Sequence, residues 1–202
     1  MAKIITIARG MGSGGRTIGR MLSEELSWKY YDKDLIRLAS EDSGINEAFF
    51  GRVDEKLKTS FIKRNGVYKG GVIDPSSKDF TSDKNLFNFQ AKIIKELAEK
   101  ESAVIIGRCA DFILADRKDV LRLFIYCDEA TAVRNVVEAY GVSEKDAAKI
   151  IEKTDKERSE YYRHYTGRDW LCAKNYNICL DTSSMDFATC VKLIKGYMEI
   201  IK

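Results

Sequence analysis

Hydrophobic and polar positions along the chain alternate between two periods. Residues 3–8, KIITIA, form a β-branched run that ends in a glycine cluster at 10–15. From Thr17 the apolar positions Ile18, Met21, Leu22 and Leu26 share one helix face. WKYYD, 28–32, predicts a second short strand, and residues 33–63 read as mainly helical with breaks near Gly44 and Gly51. The stretch 64–85, with Gly66, Gly70, Gly71 and Pro75, predicts a long loop or mobile insert. Leu86, Phe89, Ile93 and Leu97 then restore a helical period, followed by a buried-strand signal in SAVIIG, 102–107. VLRLFIYC, 120–127, predicts another strand, and Ala132, Val133, Val136 and Val137 mark a helix after it. Ser143 with Asp146 makes a capping box for a helix running towards Tyr162. YNICLD, 176–181, is a last strand, and Phe187, Val191, Ile194, Met198 and Ile201 line a terminal helix. Strands of nearly continuous apolar character alternating with helices predict a parallel sheet covered on both faces.

Composition narrows the chemistry. A chain of 202 residues predicts one domain with a substantial core, and a single proline argues against Pro-rich linkers. The 34 basic and 31 acidic residues leave a formal charge of +3, too little for a nucleic-acid coat or an anionic membrane partner. One histidine, His164, argues against a His-rich zinc site or a Ser-His-Asp triad. Five cysteines, 109, 127, 172, 179 and 190, lack any C-x-x-C spacing and read as reduced, mostly core thiols. The N-terminal apolar run is too short for a signal-peptide core, and no stretch approaches bilayer-spanning length. A cytoplasmic location is expected.

The informative segment is Gly10-Met11-Gly12-Ser13-Gly14-Gly15-Arg16-Thr17, between the first strand and the first helix. Glycines admit positive φ and close backbone approach, and a helix N-terminus offers free N–H groups to phosphate. Two motifs fit these letters. Gly10, Gly12 and Gly15 satisfy G-x-G-x-x-G, with Asp32 about where a dinucleotide fold places its ribose-binding acid. Gly10, Gly15 and Thr17 satisfy G-x-x-x-x-G-K-[ST], except that Arg16 stands at the lysine position. The second is favoured: Thr17 suits an Mg²⁺ ligand, no Tyr-x-x-x-Lys pair occurs, and an arginine-bearing segment late in the chain suits a phosphoryl-transfer lid.

ITIARGMGSGGRTIGRMLSEEL followed by SWKYYDKDLI resembles the cytidylate kinase-like family of P-loop proteins. The resemblance continues at VIIGRCADFIL, 104–114, and TDKERSEYYRHYTGRDW, 154–170, and leaves only 42–85 poorly anchored. Relatives carry a similar GSGG loop with arginine or histidine at the lysine position, whereas true cytidylate kinases have G-x-x-G-x-G-K-[GST]. Arginine keeps its charge and forks onto phosphate oxygens, but is longer and flatter than lysine. Arg16 therefore either serves the same role with altered geometry or swings out to a carboxylate.

The resemblance implies a three-layer α/β P-loop fold, nucleoside monophosphate kinase-like, in a single domain over 1–202. Its acceptor-binding insert would lie at about 38–85 and a short arginine lid at about 155–170. It implies ATP and Mg²⁺, with Gly10, Gly12, Ser13, Gly14, Gly15, Arg16 and Thr17 around the donor phosphates and Thr17 on the metal. Asp32 and Arg37 would help hold the acceptor; the plain alternative is a helix cap and a surface arginine. Arg108 would grip the acceptor phosphate, and Asp111 would support a metal-bound water or orient Arg108, unless the two form a structural ion pair. Arg158 and Arg163, with Arg168, would close over the phosphates, unless this is a solvated helix end whose tyrosines pack on the core. Lys63, Arg64 and Lys69 read as solvated charges. The expected reaction moves the ATP γ-phosphoryl to a nucleoside monophosphate, cytidylate first. The alternatives are a catalytically weak nucleotide binder and a dinucleotide-dependent oxidoreductase. Oligomeric state and acceptor identity stay open.

Overall fold

The computed structural model describes residues 2–55 and 67–201. Five strands form one wholly parallel sheet: β1 (Ile4–Arg9), β2 (Lys29–Tyr31), β3 (Ala103–Ile106), β4 (Val120–Tyr126) and β5 (Ile178–Asp181), in the order β2-β3-β1-β4-β5. β1 lies at the centre and is buried along its whole length, which is why IITIA shows no polar alternation. The order also removes the dinucleotide alternative. A dinucleotide-binding half places its second strand beside the first, whereas here β3 separates them.

Helices cover both faces. α1 (Gly15–Leu26) and α8 (Phe187–Ile200) pack on one side, where Ile18, Leu22, Val191 and Ile194 meet Ile5, Ile7, Leu121 and Leu123. The other side carries α2 (Asp34–Ser43), α3 (Glu47–Val53), α4 (Asp83–Lys100), the single turn α5 (Ala110–Ile113) and the C-terminal half of α7 (Glu144–Thr166). α6 (Glu129–Tyr140) leaves β4 and packs on α7 above the carboxyl edge of the sheet. Ser143 caps α7 as its spacing predicts, accepting the Asp146 N–H.

Three expectations need correction. Gly44 ends α2 in a left-handed cap, but Gly51 lies inside α3, with open space around it. Residues 67–82 lack a regular element, yet they are tied down: Asn85 and Asn88 of α4 bond Ile73, Phe80 and Gly71, and the Tyr68 N–H donates to Tyr165 O. The segment expected as a lid is helical, as the run towards Tyr162 suggested. Residues 155–166 continue α7, and Tyr161, Tyr162 and Tyr165 anchor that half, with Tyr165 stacked on Phe87 at 3.9 Å between ring centroids. Of the free cysteines only Cys109 and Cys190 are buried, and Cys179 is exposed on the edge strand. Lys63 and Arg64 lie outside the described residues.

Candidate phosphate-binding site

Gly10–Thr17 runs from the carboxyl end of β1 into α1, and the rest of the fold fixes its path. The Gly10 N–H donates to Ile125 O and the Met11 N–H to Asp155 Oδ1, at 2.9 and 2.8 Å. Ser13 Oγ donates to Gly10 O, Thr182 Oγ1 to Ser13 O, and Asn135 Nδ2 to Gly12 O. Gly12 and Gly14 take φ of 80° and 78°, values that disfavour side chains. Packing excludes a side chain as well. A Cβ on Gly12 would lie 2.7 Å from Ala132 O, one on Gly15 2.6 Å from Arg9 Cβ, and one on Gly14 inside the Phe187 ring. α1 starts without a side-chain cap, whereas Ser82, Asp128, Ser143 and Asp186 cap α4, α6, α7 and α8. Its first-turn N–H groups and positive dipole end therefore face a cleft of about 540 Å³, lined by the loop, α6, Arg158 and Phe187. Arg16 and Thr17 also line it.

A second cleft of about 290 Å³, bounded by Asp54 and Glu55, meets the first at Met11, Arg16, Tyr140 and Arg158. Four arginines and four carboxylates crowd this junction. Arg9 bonds Glu55 through both guanidinium ends, at 2.7 and 3.0 Å. Arg108 reaches Asp54 at 2.9 Å and Asp32 at 3.3 Å, while its backbone N–H donates to Glu55 Oε1 at 3.1 Å. Arg16 takes the carboxylate option, with Nε 2.9 Å from Asp32 Oδ2. Arg158 donates to Arg9 O and Asp155 Oδ1, at 3.1 and 3.2 Å.

The charges do not balance equally at each group. Burial alone would weaken proton binding by Arg9, but Glu55 beside it outweighs burial; Asp54, Glu55 and Asp32 do the same for Arg108. Burial would likewise push the Glu55 carboxyl up, yet Arg9, then Arg108 and Arg158, hold it far below the usual carboxylate range. Arg158 differs. Burial and the nearby Arg9 charge lower its affinity for its proton despite Glu55 and Asp155. It remains a cation, as arginine does.

Of the residues singled out from sequence, Gly10 through Thr17, Asp32, Arg108 and Arg158 come together here. Arg37 does not: α2 turns it to solvent, where it pairs with Glu41 one helical turn on. Arg163 also misses. It follows Arg158 by five residues, about 140° around α7, and is exposed. Arg168 lies over the Phe112 ring at 5.0 Å, and Lys69 is exposed. Asp111 neither pairs with nor orients Arg108; it is buried and accepts the Tyr162 hydroxyl at 2.6 Å. Arg9, Asp54, Glu55 and Asp155 are the additions. An arginine closing a fully buried, largely apolar strand, directly before a glycine cluster, was the available signal for Arg9.

Burial pushes the Asp111 carboxyl up to about 6, with the Tyr162 bond opposing that shift. A folded-state value above the usual 3.8 means Asp111 favours the fold at low pH, and that contribution is lost as pH rises through about 6. Asp111→Asn keeps an acceptor for Tyr162 without the charge. The variant is expected to gain on wild type by on the order of 2–3 kcal/mol between pH 4 and pH 7. Urea unfolding across that range checks it; a constant difference would refute it.

A parallel sheet in this order, with a glycine loop leading from its central strand into an uncapped helix, defines a P-loop kinase fold. The chain belongs to the cytidylate kinase-like family, whose sequence profile matches residues 4–184. It is 23% identical over 205 aligned positions to the cytidylate kinase of Methanopyrus kandleri, covering 97% of this chain and 93% of that one. The crystal structure of an uncharacterized protein from Eubacterium ventriosum superposes with a TM-score of 0.72 at 29% identity, covering 97% of this chain and 98% of the other. Shikimate kinase from Acinetobacter baumannii in complex with shikimate gives 0.55 at 13% identity, covering 100% and 96%. That last likeness shows the fold alone.

Proposed function

We propose that the protein transfers the γ-phosphoryl of ATP to a nucleoside monophosphate, with cytidylate the favoured acceptor. The observation that carries this reading is the meeting of the two clefts at Arg16 and Arg158, beside a glycine loop with free helix N–H groups. The 540 Å³ cleft takes the donor, with N–H groups of 12–17 around its phosphates. The 290 Å³ cleft takes the acceptor, and Arg108, buried behind Asp54 and Glu55 of its wall, serves its phosphate. No group of three or more His, Cys, Asp or Glu among the described residues is placed to hold a metal. Mg²⁺ therefore fits as a partner of the donor phosphates, and the exposed Thr17 at the cleft is the side chain that would hold it. Bound there, it would neutralise β- and γ-phosphate charge.

The chain's own work is positioning and electrostatics. Arg158, rooted by Asp155 and Arg9 O, faces the junction where charge spreads over the transferred oxygens. Asp32 holds Arg16 and Arg108 in fixed relation to one another. Among the described residues no helix is long and apolar enough to cross a membrane, which accords with a cytoplasmic enzyme.

One observation favours a second reading. Arg16 occupies the lysine position yet is engaged by Asp32, so a nucleotide binder with little transfer activity would show this same contact. A coupled assay with ATP and Mg²⁺ over a panel of nucleoside monophosphates, beside calorimetric titration of ATP, separates the two. Turnover is expected, highest with CMP. ATP binding with no turnover on any acceptor would establish the binder instead.

A further inference from the structure

Glu55 is held in a way few surface carboxylates are. Its two oxygens receive both ends of the Arg9 guanidinium and the Arg108 N–H, at 2.7, 3.0 and 3.1 Å, and Arg158 Nε stands 3.7 Å away. The wall that supplies the N–H is unusual too. Gly107, Arg108 and Cys109 follow one another at φ of 69°, 53° and 56°, a left-handed path that only the first adopts freely. Such strain is retained where a backbone must clamp something. A Cβ on Gly107 would collide with Glu55 Oε1 and Arg9 Nη1, so the hollow exists only because residue 107 is glycine. Arg9 Nε and Arg108 Nε, both buried, have no hydrogen-bond partner among the described residues.

We propose that this hollow is an oxyanion site, that Glu55 fills it when no acceptor is present, and that the acceptor's phosphate binds by replacing the Glu55 carboxylate. A carboxylate presents two oxygens to a guanidinium fork as a phosphate does, and a phosphate adds a third. That third oxygen has a donor waiting in Arg158, which Glu55 reaches only at 3.7 Å. Both anions cannot occupy the hollow, since Glu55 already covers the donors and like charges at contact repel strongly. Glu55 itself sits at φ of 52°, so leaving relieves an unfavourable backbone state. The device makes the empty site self-neutralising and makes acceptor affinity depend on a competing internal anion. It rests on the nucleoside monophosphate kinase reading for the identity of the phosphate.

Inorganic phosphate is the probe, titrated calorimetrically into the full chain with ADP and Mg²⁺ present to fill the glycine loop. Glu55→Gln is expected to bind phosphate about tenfold or more tightly than wild type, because the neutral amide competes less well than the carboxylate for the same donors. The KM for CMP should fall by a similar factor. Equal or weaker phosphate binding by the variant overturns the proposal, whatever the CMP assay gives. Tighter phosphate binding with no CMP turnover in either protein upholds the oxyanion site and overturns only the kinase reading. Should Glu55→Gln fail to fold, hydrogen exchange on wild type decides. Saturating phosphate is expected to speed exchange at the amides of 53–55, and unchanged or slower exchange there overturns the proposal.

Discussion

Arg158→Ala is expected to lower kcat for phosphoryl transfer by about 10³-fold or more, with a much smaller change in ATP affinity. Three features of its setting set that size. Arg158 lines both clefts, so its guanidinium faces the place where the proposed donor and acceptor would meet. It is fixed before any ligand arrives, by Arg9 O and Asp155 Oδ1, so little reorganisation accompanies the reaction. Its charge is also buried beside that of Arg9, so negative charge developing nearby relieves both strains at once. On the proposed reading the donor phosphates rest chiefly on backbone N–H groups of 12–17, which the substitution leaves alone. Lysine should restore little, because a single ammonium cannot hold Asp155 and a phosphoryl oxygen in one plane. Steady-state kinetics with ATP titration in parallel provides the check. A kcat within tenfold of wild type would remove Arg158 from the reaction.

How much of this site was readable beforehand depended on how local each feature is. The glycine loop and Thr17 were legible because strand, loop and helix are contiguous, and Arg108 because it follows a buried strand. The same logic misplaced Arg37 and Arg163. Each sits in a basic, polar stretch near the correct edge, but the turn of its helix sends it to solvent, and for Arg163 the five-residue step from Arg158 already said so. The glycines were read as room for a ligand, and the structure shows neighbours from α6, β1 and α8 already using that room. The carboxylates were the least visible part. Asp54 and Glu55 stand in VDEKLK and Asp155 in TDKER, runs that resemble any solvated helix face. Nothing local distinguishes them; only the approach of β1, β3 and α7 converts them into partners for buried arginines.

Arg9 carries the largest expected effect on stability. Its side chain is 4% exposed and its partner Glu55 15%, so the pair is screened little by salt. Arg9→Ala would leave the Glu55 carboxylate desolvated with only the Arg108 N–H in bonding range and Arg158 beyond it. Breaking a buried pair from one side costs about 3–5 kcal/mol, a large share of the roughly 5–15 kcal/mol that holds a domain folded. The pH dependence gives the diagnosis. In wild type the Glu55 carboxyl is depressed, so its contribution is present above its usual value of 4.5 and is lost only as pH falls well below it. Without Arg9, burial dominates and the carboxyl rises, so the variant loses stability as pH climbs through and beyond that value. The deficit should therefore be greatest at pH 7 and shrink towards pH 4. Adding Glu55→Gln to Arg9→Ala should recover much of the loss at pH 7 and flatten the profile, because the stranded charge is gone. Urea denaturation of the two variants and wild type at pH 4, 5.5 and 7 measures all of this. A deficit independent of pH, or a double variant no more stable than Arg9→Ala, would show that Arg9 matters for its packing rather than for the charge it neutralises.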